Sequence, residues 1–203
     1  MRTHVACRSP PRDRAIVPPE LRVSSLLGRL ASANVDFVVI GGVAVIAHGY
    51  VRNTEDLDIC YSPDDVNLEA LGGVLLELDA RLRGIDEEIP FTPDARTLRR
   101  TQILTLDTRD GGLDLLVDPE GSPGYGTLKA RAQRIHFDGF EILIASVEDL
   151  LAMKRAADRS KDRADIEALT AILRLRRTAQ PRWRHSATPI RRGATAARRP
   201  ASR

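Results

Sequence analysis

Ile40-Gly41-Gly42, thirteen further residues, then Asp56-Leu57-Asp58-Ile59: the rest of the chain is organised around this stretch. Phe37-Val38-Val39-Ile40 is a short apolar run rich in β-branched residues, the composition of a buried strand. The glycine pair follows at once, and Val43-Ala44-Val45-Ile46-Ala47-His48 continues as a helix. Glycines at a strand-to-helix turn let backbone approach a ligand, and the free N–H groups of a helix start favour an anion such as phosphate. In the second half, residues two apart on a strand point to one face. Asp56 and Asp58 therefore sit side by side, with Leu57 and Ile59 turned into the opposite layer. Folding alone gives no reason to pair like charges that closely. A divalent cation does, because hard oxygen ligands on a rigid strand suit Mg²⁺. A phosphate cradle beside paired carboxylates is equipment for phosphoryl or nucleotidyl transfer.

Hydrophobic-Gly-Gly followed at this distance by Asp-hydrophobic-Asp-hydrophobic resembles the signature of the DNA polymerase β-like nucleotidyltransferase superfamily. Arg52 and Thr54, just ahead of the acids, resemble the Arg-x-Thr-x-Asp-x-Asp variant of its small bacterial members. The resemblance implies an α+β fold: a small mixed β-sheet nucleotidyltransferase core with packed helices, and C-terminal helices closing one side of a cleft. It covers about residues 34 to 175.

The 203 residues suffice for one domain with a proper core, or a domain with a small helical appendage. With 42% hydrophobic and 29% charged residues the chain reads as globular. No apolar run has the length of a membrane span, and the N-terminus lacks the apolar centre of a secretory signal, so a cytoplasmic protein is expected. Cys7 and Cys60 are too few for a disulfide framework or a zinc site. From Arg174 to Arg203 there are ten arginines and no acidic residue, so the net +3 of the whole chain becomes −7 for the remainder. That basic, proline-bearing tail reads either as a nucleic-acid arm or as a solvated, unfolded extension. The expected organisation is a disordered leader over 1–18, a core over 19–145, C-terminal helices over 146–176 and a disordered Arg-rich tail over 177–203.

A helix is expected from Pro19 to Ala33, striped by Leu21, Leu26, Leu27 and Leu30, with Asn34 as its stop. Ser62 reads as an N-cap with Pro63 in the first helical position. The helix they open carries Leu68, Leu71, Leu75 and Leu78 on one face and is weakened by Gly72-Gly73. Residues 84–98 read as irregular. A strand over Gln102–Leu106, an Asp110-Gly111 turn and a strand over Leu113–Val117 make a hairpin. Asp114 is polar in a run that is otherwise buried. It reads as a strand-edge acid facing solvent or, as the family implies, as a third carboxylate completing the metal site. Asp118 shares its face but precedes Pro119, which ends the strand. Tyr125–Ala132 suits a short helix. Asp138-Gly139 joins a second hairpin, with His136 as an exposed strand residue. His48 reads as a packed helix residue.

Ser146-Val147-Glu148-Asp149 opens the last helical region as a capping box. The run Ser-Val-Glu-Asp-Leu-Leu-x-x-Lys, then Arg-x-Lys-Asp-x-x-Asp from Arg159, resembles the C-terminal signature of AbiEii-type nucleotidyltransferases. There a lysine and a late aspartate form part of the nucleotide site; Lys154 and Asp165 are the matching positions, with Lys161-Asp162 a secondary match. A lysine in an apolar helix start needs an anion, which a triphosphate would supply. The alternative is a surface charge face with i, i+4 pairs such as Lys161–Asp165.

The resemblance thus implies a two-metal Mg²⁺ site on Asp56, Asp58 and Asp114, which are also the catalytic residues. It implies an NTP held by Gly41, Gly42, Arg52, Thr54, Lys154 and Asp165. The expected activity is transfer of a nucleoside monophosphate to a hydroxyl on RNA, protein or a small molecule, in a toxin–antitoxin setting with a partner protein or outside one. The alternative is a non-catalytic, antitoxin-like nucleotide or RNA binder.

Overall fold

Alternation along Asp56–Tyr61 sets the centre of the molecule. Leu57 and Ile59 are wholly buried while Asp56 and Asp58 keep partial exposure on the opposite face. The computed structural model describes residues 20–85 and 91–179. The expected leader, Cys7, Pro19 and nearly all of the Arg-rich tail lie outside the described residues.

Seven strands form one mixed sheet: β1 (Phe37–Val39), β2 (Asp56–Tyr61), β3 (Arg81–Leu82), β4 (Ile103–Thr108), β5 (Gly111–Leu116), β6 (Gln133–Phe137) and β7 (Phe140–Ile144). Their order across the sheet is β3-β4-β5-β2-β1-β7-β6. β2 pairs parallel with β5 and antiparallel with β1, so the carboxylate strand lies in the middle with ladders on both sides. Among the described residues seven α-helices accompany the sheet: α1 (Val23–Ser32), α2 (Gly41–Ala47), α3 (Asp65–Glu77), α4 (Ala95–Arg100), α5 (Tyr125–Arg131), α6 (Val147–Ala157) and α7 (Arg163–Ala179), with a 3₁₀ turn at Ser160–Asp162. This is the expected α+β fold with a mixed sheet, and α6 and α7 pack on each other as a C-terminal pair. Among the described residues no helix is long and apolar enough to cross a membrane.

Several elements differ from the sequence expectation, each for a physical reason. α1 begins at Val23 rather than Pro19, because residues ahead of it dock on the β4–β5 turn. There Arg22 N–H donates to the Asp110 carbonyl at 2.9 Å, and a Cβ on Gly111 would stand 2.6 Å from Leu21 Cα. Asp110, in the hairpin turn, is a buried latch as well as a turn former. It accepts from Ser25 Oγ at 2.6 Å and Arg29 Nε at 3.2 Å. Burial pushes its carboxyl up, but those two donors outweigh burial and hold it below the usual range.

The N-cap of α3 is Asp64, whose side chain accepts from Asn67 N–H at 3.0 Å; Ser62 donates its hydroxyl to Asp64 rather than capping the helix itself. All four expected leucines of α3 are buried. Gly72 has a packing role, since a Cβ there would lie 2.5 Å from the Pro93 carbonyl oxygen, so the segment leading into α4 crosses α3 at that point. The stretch expected to be irregular contains α4, capped by Asp94 accepting from Thr97 N–H at 2.8 Å. The returning strand β5 runs Gly111–Leu116, two residues earlier at its start and one shorter at its end than expected. β2 continues one residue past Cys60, which is a buried thiol as expected. α7 reaches Ala179, beyond the boundary at 176. Among the described residues four non-glycine residues have positive φ, and all are Asn or Asp at turns or helix ends: Asn34, Asp79, Asp138 and Asp158. Their short polar side chains tolerate that region best.

Asn67 ties the carboxylate strand's far end to its neighbours. Its Oδ1 accepts from Asp36 N–H at 2.6 Å, and its Nδ2 donates to the carbonyls of Asp36 at 3.1 Å and Ser62 at 2.8 Å. Substituting Asn67→Ala leaves the Asp36 N–H and the Ser62 carbonyl without these partners, while the Asp36 carbonyl keeps the Ser62 N–H at 3.0 Å. The expected cost is ~2–3 kcal/mol, read as a lower urea midpoint with an unchanged slope.

Candidate active site

The parallel register of β2 and β5 sets Asp58 directly beside Asp114 and Asp56 beside Gly112. Directly paired residues share a face, so the three acids expected to converge do stand on one side of the sheet. Leu57, Ile59, Leu113 and Leu115 fill the other side and are fully buried. Asp118 is exposed beyond the end of β5 and does not line the cleft.

The glycine turn makes room for these acids. Gly41 has φ +60°, and a Cβ on it would lie 1.9 Å from Asp58 Oδ2. No side chain can replace that hydrogen, on sterics and on backbone conformation alike. Gly42 N–H points at Asp58 Oδ2 over a long 3.4 Å, and a Cβ on Gly42 would stand 2.4 Å from Thr54 Oγ1. Thr54 in turn donates to the Asp56 carbonyl at 3.2 Å, tying the approach loop to the carboxylate strand.

Gly41, Gly42, Arg52, Thr54, Asp56, Asp58, Asp114 and Lys154 line one polar cleft together with Arg159, Lys161 and Asp162. Its enclosed space is about 70 Å³, which admits ions and water and not a nucleoside. Asp165, the remaining expected site residue, does not line the cleft. It is buried behind it, accepts from Arg52 Nη1 at 2.5 Å and forms an ion pair with Lys154 Nζ at 2.8 Å.

Lys154, which lines the cleft, already has anions within the chain. Its ammonium is buried and held by Asp162 Oδ1 at 2.7 Å as well as by Asp165. Asp162 also takes Arg159 Nε at 2.8 Å. Burial raises the Asp162 carboxyl, yet the hydrogen bonds from Lys154 and Arg159 prevail and keep it below its ordinary value. The surface pair expected between Lys161 and Asp165 does not form, because Asp165 turns inward to Arg52 and Lys154. Lys161 is exposed on the cleft wall without an ion-pair partner among the described residues. His48 is a packed helix residue as expected: its Nε2 meets the Ala145 carbonyl at 2.8 Å, and burial lowers its pKa.

Arg83 is the site residue that sequence reasoning missed. It follows the two-residue strand β3, next to the stretch read as irregular, where no periodicity announces it. Its Nη1 lies 3.5 Å from Asp56 Oδ2 and 3.1 Å from Asp114 Oδ1. The latter contact is an ion pair without hydrogen-bond alignment, and Asp114 Oδ1 is buried with no hydrogen-bond partner. Burial, the nearby Asp58 and Asp56 charges, and only partial compensation from Arg83 push Asp114 up to about 6. Asp58 is raised too, by burial first and by Asp56 second.

These observations test whether the face fits a divalent cation. Among the described residues no group of three or more His, Cys, Asp or Glu side chains is already gathered to hold an ion. The donor set is nonetheless three hard carboxylates on adjacent strands, with one buried oxygen unpaired and two groups whose ionisation is disfavoured for want of positive charge. A small divalent ion would relieve all three conditions, so the residues fit one.

No family model and no curated protein matches the chain. Solved structures do. The lincosamide antibiotic adenylyltransferase LnuA, solved with lincomycin bound, superposes with a TM-score of 0.50 at 16% identity, covering 75% of this chain and 99% of that one. ANT(2″)-Ia in complex with adenylyl-2″-tobramycin gives 0.47 at 14%, covering 76% and 89%. A nucleotidyltransferase-like antigenic protein from Paracoccidioides brasiliensis gives 0.47 at 22%, covering 75% and 74%. The first of these establishes that the chain has a nucleotidyltransferase fold.

Two measurements follow on the metal-free protein. A folded-state pKa raised above the unfolded one gives stability that is complete below about 3.9, the ordinary aspartate value, and is lost as pH rises through about 6. Asp114→Asn cannot ionise, so its stability advantage over the native protein should grow across that window and level off above it in urea titrations. Lys154→Met should cost ~3 kcal/mol without any nucleotide present, the low end for breaking a buried pair, since Arg52 and Arg159 remain to meet the acids. A lysine serving only to meet phosphate would cost nothing in that measurement.

Proposed function

We propose that the protein is a nucleotidyltransferase that moves a nucleoside monophosphate from an NTP to an acceptor hydroxyl and releases pyrophosphate. The observation that carries this reading is the meeting of Asp56, Asp58 and Asp114 on one sheet face beneath a glycine turn that only glycine can form. Asp56, Asp58 and Asp114 would hold Mg²⁺, as one ion or two, whose chemistry there is neutralisation of phosphate charge in the transition state.

The chain's own residues do the rest. Gly41 keeps the space over Asp58 open, so phosphate can lie against the turn without meeting a side chain. Arg52 and Thr54 fix the loop between that turn and the carboxylates. Lys161, exposed and unmatched, offers its charge to the leaving phosphates. Lys154 acts beside it chiefly by holding Asp162 and Asp165, which anchor the 3₁₀ turn and α7 to Arg52. Asp114, whose ionised form the cation would favour, accepts the proton of the attacking hydroxyl. The cleft is too small for a nucleoside, so base and sugar lie across its mouth, where the α6–α7 pair would contact them.

The acceptor class is RNA, protein or a small molecule. A small-molecule acceptor is supported by the likeness to LnuA, a lincosamide antibiotic adenylyltransferase solved with lincomycin bound. The AbiEii-like ending around Lys154 and Asp165 points instead to the toxin–antitoxin setting, with a partner protein.

Incubation with each labelled NTP, Mg²⁺ and total cellular RNA distinguishes a transferase from a binder. Label on RNA or on the protein itself is the expected result; saturable binding without transfer would leave the non-catalytic reading. Asp58→Asn should reduce labelling to background with an unchanged circular dichroism spectrum. Full activity in that variant would remove the assignment.

A further inference from the structure

We propose that Arg83 is a built-in counter-ion that competes with a divalent cation for Asp56 and Asp114. The metal then enters this half of the carboxylate face only by displacing the guanidinium. The inference rests on reading that face as a metal site.

The guanidinium has a prepared seat. Its Nε donates to Asp107 Oδ1 at 2.9 Å and its Nη2 to the Leu106 carbonyl at 2.8 Å, while its backbone N–H holds the Thr105 carbonyl at 3.0 Å. Gly112 clears the space, since a Cβ there would lie 2.4 Å from Arg83 Nη2. Gly112 is also the register partner of Asp56, so the missing side chain is what lets an arginine from the sheet edge reach the acids. The contacts to β4 are short and directed. Those to the acids are weaker: Nη1 donates to Asp56 Oδ2 over a long 3.5 Å and stands 3.1 Å from Asp114 Oδ1 without alignment, leaving that oxygen with no hydrogen-bond partner. Arg83 is thus anchored on Asp107 and leans on Asp56 and Asp114 with its remaining nitrogen. A divalent ion offers those oxygens a more concentrated charge than a delocalised guanidinium does. With the ion bound, Arg83 keeps its place on Asp107 and Leu106 while its Nη1 withdraws. The same arrangement explains how three carboxylates stay on one face in a protein that has met no metal.

The test is calorimetric titration of the nucleotide-free full chain with MnCl₂, comparing the native protein, Arg83→Gln, Asp114→Asn and the double variant. Arg83→Gln should bind Mn²⁺ about fivefold tighter or more, the effect of one partly exposed ion pair no longer competing. That gain should vanish when Asp114→Asn is added. Unchanged or weaker binding by Arg83→Gln, or a gain that survives loss of Asp114, overturns the proposal. Should Arg83→Gln not fold, Gly112→Ala keeps the arginine but drives its tip from the seat, with the Glu55 carbonyl 3.1 Å away yielding slightly. It should tighten Mn²⁺ binding in the same direction, and no change there also overturns the proposal. Failure of native protein and variants alike to bind Mn²⁺ would sink both this inference and the metal reading. Transfer activity surviving in Asp58→Asn would sink the functional reading while leaving the competition measurable.

Discussion

Like charge held on one side of a central strand pair is the constraint to which much of this molecule answers. The register of β2 against β5 forces Asp58 and Asp114 together, and strand alternation adds Asp56. The leucine and isoleucine residues between them are locked into the opposite layer, so no acid can rotate away without exposing core. Repulsion must instead be met by protonation, by a cation or by a neighbouring base. The approach of Arg83 shows the third route in use, and the raised carboxyls of Asp58 and Asp114 show that it answers the repulsion only in part. The cost is accepted because the hydrophobic face opposite holds the strands regardless.

A second charged cluster lies across the cleft and is built on the opposite logic. Asp162 and Asp165 are each nearly inaccessible, but each meets two bases: Lys154 and Arg159 for one, Lys154 and Arg52 for the other. Burying charge is tolerable when every lone pair finds a donor. Because Arg52 precedes β2 while Lys154 and Asp165 sit on α6 and α7, the network fastens the C-terminal helices to the glycine–carboxylate unit. This cluster therefore fixes the shape of the cleft.

Much of this was legible from the residues. Gly41-Gly42 and Asp56-x-Asp58 declare themselves because strand alternation and glycine geometry are local rules. Asp114 stands out as the one acid in an apolar run. Lys154 signals correctly that a buried ammonium needs an anion. Within the chain, Asp162 and Asp165, eight and eleven residues on, supply one after a reversal of the chain that periodicity cannot reveal. Arg83 is invisible in sequence for a related reason. Its importance arises from Gly112, twenty-nine residues later, and from a strand order that sets the β3 edge against β5 through β4. Asn67 and Asp110 read as ordinary helix and turn residues, and only the fold turns them into ties between distant segments. The cap of α3 went to Asp64 because Ser62, Asp64 and Asp65 are all competent caps, and local sequence does not rank them.

The two clusters together give the cleft a direction. On the strand side, Asp56 and Asp114 face a single guanidinium that holds them poorly, and Asp58 has no ion-pair partner among the described residues. On the helix side, Arg52, Lys154 and Arg159 are matched by buried acids, and Lys161 is left over at the exposed wall. The strand side is thus short of positive charge and the outer wall carries a surplus. A species that satisfies both must bring a concentrated cation to the strands and an extended anion to the wall. A polyphosphate carrying a divalent ion has that polarity built into it. A free phosphate lacks the cation, and a bare metal ion leaves Lys161 unanswered. On the proposed function, this asymmetry of unmet charge would favour a metal–nucleotide complex over either component alone, with residues drawn from four separate parts of the chain.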